Sequence, residues 1–489
     1  MGKNVIIIGS GNAAMAAGIA SLETGANVLM LEKADEELAG GNTKYTAGAM
    51  RFSYNSSEEL LPLLSNPNDE RIGRTDFGSY TEQKFENDLL SFNEGQPLSP
   101  EQEYLVKQSY EAVKWLADHG VTYEPIYSRQ SYEKDNKIIF WGGLTLAADN
   151  EGVGLHDMEL KAFKRLGGKI RYNAGVTDLI TSNSTVTGVR IGNEEIFGDS
   201  IILACGGFEA DDQLRKSEIG LDWSQAKVRG TPHNTGDGLK MALKLGAKRY
   251  GKYDGCHATP MDLHMKNFGN LEVPPKSRKN YRKICYFLGV MLNADGNRFV
   301  DEGKNFRNYT YAQFGRAVLE QPKHFAWQIF DSKVFELLYE EYRTSDVSYV
   351  EANNLEDLVK KLDGVDQSKA LKTLNEYNHA VDIHSIFDPT ELDGKCTNGL
   401  TLNKSNWAQT IDTPPFRAFP VTGGITFTYG GLKVNENGCV MSKEDVPISG
   451  LYACGEIVGG IFHGGYPGGS GLTSGAVFGR LAGFGAASI

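Results

Sequence analysis

Residues 4–14 read NVIIIGSGNAA: an apolar run that stops on glycine and gives way at once to an alanine-rich stretch. Asn4 to Ile8 has the length and unbroken apolarity of a strand buried on both faces. Asn12 to Thr24 is rich in Ala, Met and Leu, which favour helix. Gly25 closes that helix, and Asn27 to Leu31 reads as a second strand. Strand, tight turn, helix and strand make a βαβ unit, which commits the chain to an α/β fold with a parallel sheet. Gly9, Gly11 and Ala14 stand at the positions of the G-x-G-x-x-G/A dinucleotide fingerprint. Gly9 permits the turn, Gly11 lets a pyrophosphate approach the backbone, and Ala14 lets helix and strand pack closely. The helix N-terminus offers N–H donors and the positive end of its dipole. Glu32 follows 21 residues after Gly11, placed to accept hydrogen bonds from ribose hydroxyls and to repel a 2′-phosphate.

That fingerprint does not separate NAD from FAD, but three further segments do. Gly40-Gly41-Asn42-Thr43, with Ala47-Gly48 after it, follows soon after the acid. Ala204-Cys205-Gly206-Gly207 ends a later strand. Gly450 to Glu456 (GLYACGE) precedes Tyr466 to Gly475 (YPGGSGLTSG), a Gly-rich loop opening a helix through Phe478 and Arg480. A helix N-terminus there would favour electron density at the N1/C2 carbonyl edge of a reduced flavin. The expected cofactor contacts in the first half are Gly9, Gly11, Asn12, Ala13, Ala14, Glu32, Lys33, Gly40, Gly41, Asn42, Thr43, Ala47 and Gly48. Later in the chain they are Val176, Ala204, Gly206, Gly207, Asp237, Gly455, Glu456, Ser470, Gly471, Leu472 and Thr473.

Further helices are expected at Pro100 to His119, Gly154 to Leu166 and Thr235 to Leu245, with strands through Asp178 to Gly198 and at Asp199 to Ala204. From about Gly251 to Thr426 the chain is richer in Lys, Arg, Tyr and Asn and lacks Gly-rich signatures. The simplest organisation is a cofactor domain from residues 1–250 and 427–489, with a second domain, 251–426, inserted in it.

The net charge of −12 gives no electrostatic footprint for nucleic acid. None of the six cysteines is at CxxC spacing, which argues against a zinc ribbon, an iron–sulfur cluster or c-type haem, and no metal site is expected. The apolar strand at the start leaves no signal-peptide pattern, and no apolar run is long enough to cross a bilayer. Together with the unpatterned cysteines this reads as a cytoplasmic protein.

The GGNT, ACGG and LYACGE segments, with HNTGDG from His233 to Gly238, resemble those of the fumarate reductase and succinate dehydrogenase flavoprotein superfamily, which includes the 3-ketosteroid dehydrogenases. The resemblance covers nearly the whole chain. Gly255 to Pro260 (GCHATP), Asn293 to Arg307 (NADGNRFVDEGKNFR), Asn308 to Tyr311 and Tyr466 to Gly475 are most similar to the tricarballylate dehydrogenases. It implies a Rossmann-type FAD-binding domain carrying an inserted α+β capping domain, with the active site between them. It implies hydride exchange between flavin N5 and a CH–CH bond. Some relatives attach flavin to a histidine beside the Gly-Gly segment. Gly40 to Gly48 contains none, so non-covalent FAD is expected.

The resemblance also points to residues for the chemistry. Arg307 matches the arginine that handles the proton in fumarate reductases, and guanidinium is normally too basic to lose one. It stands either as that group or as a carboxylate clamp. His257 matches a substrate-binding histidine, whereas His233 reads as structural. Fumarate reductases place an arginine where this chain has Tyr466, and a histidine where it has Thr426 or Phe427. Tyr466 is open to binding a carboxylate or carbonyl or to acting as acid/base. Arg307, Tyr466 and His257 are the catalytic candidates, and Arg282, Tyr309, Thr426 and Phe427 the substrate-binding ones. Tyr281, Tyr286 and Tyr311 are further candidates. The run Lys276 to Lys283 is either a solvated charge run or, through Arg282 with Arg278, a lure for polycarboxylates. The expected reaction is dehydrogenation of a small, tricarballylate-like polycarboxylate. The alternatives are an enone or 3-ketosteroid-type dehydrogenation, or reduction of an unsaturated acid. With no haem or iron–sulfur motif and no second dinucleotide fingerprint, electrons are expected to pass to a separate protein, quinone or oxygen.

Overall fold

A computed structural model of the chain describes residues 2–141, 143–268, 271 and 281–488, with the backbone alone at Arg129. The first element, β1 (Asn4–Ile8), leads through α1 (Asn12–Glu23) to β2 (Asn27–Leu31), the expected βαβ unit. Next comes α2 (Pro100–Asp118), fixed at its start by a reciprocal cap. The Ser99 hydroxyl accepts from the Gln102 N–H at 3.1 Å, and the Gln102 side chain accepts from the Ser99 N–H at 3.0 Å. Pro100 occupies the first helical position, where no N–H is needed. Then follow α3 (Glu151–Arg165), β3 (Lys169–Arg171), an antiparallel three-stranded sheet within residues 178–197, and β4 (Ser200–Leu203). The middle of the chain contributes β5 (Lys227–Val228), α4 (Asp237–Lys244), β6 (Cys256–Asp262), β7 (Val290–Asn293) and α5 (Arg307–Leu319). Next are β8 (Phe325–Asp331), β9 (Val350–Ala352), α6 (Gln367–Ala380) and the long β10 (Phe416–Thr428). The chain closes with β11 (Cys439–Met441), β12 (Pro447–Ala453) and α7 (Ser470–Ala487).

Two sheets organise the molecule. The first has the order β11-β12-β4-β1-β2-β3, parallel except for β11. Sequence neighbours β1 and β2 pair directly, while β4 and β12 arrive from far along the chain, so both ends of the sequence build one sheet. Beneath it α7 packs on α1 at very short range. A Cβ at Gly479 would lie 2.5 Å from the Ala13 carbonyl, and one at Gly483 2.4 Å from that of Ala17. Only glycine tolerates that approach.

The second sheet is centred on β10, which pairs antiparallel with β6, β8 and β9 and parallel with β5. It carries α5 against β6, with a Cβ at Gly315 only 2.4 Å from the Ala258 carbonyl carbon. This is the α/β fold with an inserted α+β cap. The expected edges of the insert are less clean in space than in sequence. Strand β10 runs unbroken through residues 426 and 427, and β5, well before residue 251, belongs to the second sheet. At Thr426 the pairing of β10 with β6 shifts register between His257 and Ala258.

Candidate active site

A cleft runs from the C-terminal ends of β1, β2 and β4 to the second sheet, at β6 and β10. Ligands of open parallel sheets bind at such strand ends. Gly9 has φ +107°, and a Cβ there would stand 2.3 Å from the Ala204 carbonyl, so the fingerprint turn is pressed against the end of β4. Of the expected contacts, Gly9, Gly11, Asn12, Ala13, Glu32, Lys33, Gly41, Asn42, Thr43, Ala47, Val176, Ala204, Gly206, Asp237, Gly455, Glu456, Gly471 and Leu472 line the cleft. Ala14, Gly40, Gly48, Gly207, Ser470 and Thr473 stand behind its wall. Gly40 (φ +109°) admits the His156 ring, and Gly207 leaves room for the Glu456 carboxyl. The Ser470 and Thr473 hydroxyls donate to the Pro467 and Gly469 carbonyls, inside the first turn of α7.

At the fingerprint end, Glu32 accepts from the Ser10 hydroxyl and from the Ala34 N–H at 2.8 Å. The Asn12 N–H donates to Thr43 Oγ1 at 2.9 Å, and its amide nitrogen to the Leu472 carbonyl at 2.7 Å. Asn12 thereby ties the first helix to the loop that opens the last. Its Oδ1 is buried without a partner, as is Nε2 of His233. Both atoms line a cleft rich in bare glycine backbone, the arrangement a nucleotide with its own donors and acceptors would complete.

The middle of the cleft rests on the expected Asn42 and Glu456 and on Glu209, which sequence reading missed. Asn42 donates to Glu209 Oε1 at 2.7 Å and to the Thr426 carbonyl at 2.9 Å, and it accepts from the Thr231 N–H at 3.0 Å. Glu209 is wholly buried behind Glu456, which accepts from the Thr428 N–H at 2.8 Å. Burial, and then the adjoining Glu209 charge, push the Glu456 carboxyl well above the carboxylate range. Two such groups side by side keep a proton between them.

A polar and aromatic end follows. His257, on β6, lies 3% exposed between three rings. Phe427 stacks on it at 5.1 Å, and Tyr466 and Tyr311 meet it edge-on at 4.9 and 5.1 Å. Burial, then the charge of Arg229, hold its pKa well below the usual histidine value, so it is a neutral imidazole, with Nδ1 unpartnered. The Tyr466 oxygen accepts the Gly469 N–H at 2.7 Å, which leaves its own proton to donate. Burial raises the pKa of both Tyr466 and Tyr311, so both are phenols and not phenolates. Arg307 opens α5, with its guanidinium carbon 5.3 Å from the Tyr339 ring centre. Burial works against its charge, but the surrounding phenol oxygens of Tyr339, Tyr311 and Tyr286 outweigh that and keep it protonated. Thr426 and Phe427 also line this end.

Two expectations change. Arg282 lines the cleft, but its Nη2 is 2.8 Å from Glu341 Oε1, so its charge is largely compensated within the protein. Arg278 lies outside the described residues. Tyr309 is not in the cleft wall: its hydroxyl donates to Asp88 at 3.3 Å, in a network with Arg51 and Tyr80. Tyr281 donates to Asp346 and Tyr286 meets Thr310, which leaves Tyr311 as the cleft tyrosine of that group. Helical spacing holds the missed signal: Arg307 and Tyr311 are four residues apart and share a face, whereas Tyr309 is on the other. Arg229 was missed altogether and lines the same end.

The family model described as FAD binding domain matches residues 4–472. The chain belongs to this FAD-binding family. The flavoprotein is an FAD-dependent oxidoreductase acting on CH–CH bonds. It is 27% identical over 99% of its length to a probable fumarate reductase of Shewanella frigidimarina, of which it spans 74%. It is 26% identical to an NADH:fumarate oxidoreductase of Klebsiella pneumoniae over 99% of this chain, but spans only 47% of that protein. Among solved structures, the open conformation of a flavocytochrome c3 fumarate reductase superposes with a TM-score of 0.72 at 25% identity, covering 99% of this flavoprotein and 78% of that chain. A 3-ketosteroid delta1-dehydrogenase from Sterolibacterium denitrificans shares the fold, with a TM-score of 0.74 at 20% identity over 98% of this chain and 99% of that one. Among the described residues no helix is long and apolar enough to cross a membrane.

Proposed function

We propose that the protein interconverts a small saturated polycarboxylate, tricarballylate-like, and its unsaturated counterpart, using non-covalently held FAD. The observation that carries this reading is the convergence of the Arg229 and Arg307 guanidinium groups, with the ion-paired Arg282 beside them, on the far end of the FAD cleft. Guanidinium groups are suited to carboxylate forks. In this reading Gly9 to Ala13 face the pyrophosphate, Glu32 the ribose, and Gly455, Glu456, Gly471 and Leu472 the flavin half. Bound FAD supplies the two-electron exchange at N5. The absence of histidine from Gly40 to Gly48 supports non-covalent binding, and the six unpaired cysteines support a reducing, cytoplasmic setting.

Within this frame Arg307 clamps a carboxylate next to the reacting bond, and Tyr466 holds a proton at its hydroxyl oxygen. His257, neutral and unpartnered at Nδ1, is placed to donate from that atom to a carboxylate oxygen. Tyr311 and Tyr466 stay protonated as phenols and can give a proton in reduction of the unsaturated acid, while Arg307, too basic to lose one, holds the carboxylate. Dehydrogenation uses the same groups in reverse. The aromatic enclosure of His257, Tyr311, Phe427, Phe462 and Tyr466 favours a second reading, a flat enone such as a steroid ketone hydrogen-bonded by Tyr466. In either case electrons enter or leave through a separate protein, quinone or oxygen.

The test is an anaerobic titration with two arms. Tricarballylate should bleach the oxidised flavin, or aconitate should restore the absorbance of the dithionite-reduced enzyme. The arm that responds gives the direction. Silence in both arms, with flavin bound and reducible, removes the polycarboxylate and leaves the enone.

A further inference from the structure

Arg229 follows β5, and its N–H donates to the Ile425 carbonyl at 2.8 Å, so its backbone is fixed to the central strand of the second sheet. Its side chain reaches Thr426 Oγ1 at 3.3 Å and the Tyr45 carbonyl at 3.0 Å. Both acceptors are neutral, and among the described residues Arg229 makes no ion pair. Four arginines with buried side chains are balanced within the protein. Arg51 is paired with Asp88 at 3.1 Å, Arg282 with Glu341 at 2.8 Å and Arg298 with Glu302 at 2.5 Å. Arg215 lacks an ion pair but spends its guanidinium on the carbonyls of Trp223, Glu209 and Ser224, away from the cleft. Arg229 instead lines the cleft, with two of its five donors used. Burial, and then the neighbouring Arg282, pull its pKa down to about 10. A half-buried cation set beside another cation in a cleft is a ready partner for an anion.

We propose that Arg229 binds a substrate carboxylate distinct from the one at Arg307, and so selects substrates with a carboxylate remote from the reacting bond. This rests on the polycarboxylate reading of the same cleft. It makes Arg229 a specificity-determining residue, with Thr426 and the Tyr45 carbonyl holding its guanidinium in place.

The test compares FAD-loaded wild type with Arg229→Gln and Arg229→Lys, reading ligand binding from the perturbed flavin spectrum. The probes are tricarballylate, glutarate (no central carboxylate) and ethylsuccinate (one terminal carboxylate fewer). Arg229→Gln should weaken tricarballylate by roughly 30-fold or more, the scale of losing one partner of a buried charged pair. It should weaken ethylsuccinate by less than about 3-fold, because that ligand lacks the remote carboxylate, and should weaken glutarate, which keeps it, along with tricarballylate; a spared glutarate would overturn the assignment. Arg229→Lys should recover part of the loss. Equal weakening of all three probes would overturn the assignment in favour of a general positive potential. A shifted flavin potential with unchanged affinities would make flavin the partner and overturn it too. Full tricarballylate affinity in Arg229→Gln sinks the inference and leaves the polycarboxylate reading standing. Wild type that binds none of the probes sinks both. If Arg229→Gln loses FAD, the probe pattern of Arg229→Lys decides.

Discussion

His156 shows how much one buried side chain can tie stability to pH. It is 2% exposed on α3, with Nε2 3.0 Å from the Ser10 carbonyl and Nδ1 unpartnered. Burial first, then Lys44, lower its pKa from 6.5 to about 4. Between those values the unfolded chain binds the proton and the folded chain does not. Stability from this group is therefore complete above pH 6.5 and is lost as pH falls toward 4, by about 3 kcal/mol in all. His156→Gln should flatten that loss, which urea unfolding at pH 7 and pH 4.5 will measure. Equal losses in both proteins would clear His156. At this scale the fingerprint residues were legible because a tight turn against β4 dictates glycine. Arg229 and Glu209 were not: no local pattern marks them, and only the pairing of Val228 with Ile425 carries Arg229 to the cleft.

The contact between α1 and α7 governs the cofactor end at the scale of elements. Gly475, Gly479 and Gly483 recur every fourth residue and face Asn12, Ala13, Ala16, Ala17 and Ala20. Side chains on either helix would push them apart and pull Asn12 from the Leu472 carbonyl. Gly479→Leu should cost at least about 1–3 kcal/mol, as overpacked interiors do. It should lower the melting temperature and the fraction of protein that retains FAD. A variant with wild-type melting and full flavin content would show that the two helices can separate without harm. The helices α1, α2, α3 and α4 were legible from composition and flanking glycines, to within a few residues at each end, while of α7 only the stretch through Phe478 and Arg480 was. The two-residue β5 was not, since so short a strand exists only through its partner.

For the whole molecule, the cleft wall draws on both sheets, so bound FAD adds contacts that neither sheet makes alone. A ligand at 100 times its dissociation constant adds about 2.7 kcal/mol. Stripping FAD should therefore lower the melting temperature by a few degrees in a calorimetric scan, and saturating FAD should restore it. An apo protein melting with the holo protein would mean the cleft is formed and stable empty. The split layout was legible because Gly-rich signatures occur at both ends and not between. Its edges were not, because β10 stays in the second sheet through residues 426 and 427, and β5, before residue 251, already belongs to that sheet.

The bond from Asn12 to Leu472 spans 460 residues. A ribosome adding about 5–20 residues per second needs roughly 25–90 s to cover that distance. Throughout that interval the alanine face of α1 has no partner, and the flavin half of the cleft has no wall. Cofactor capture is thus deferred until synthesis reaches α7, and a chain halted earlier would emerge colourless, with a sticky helix for chaperones to hold.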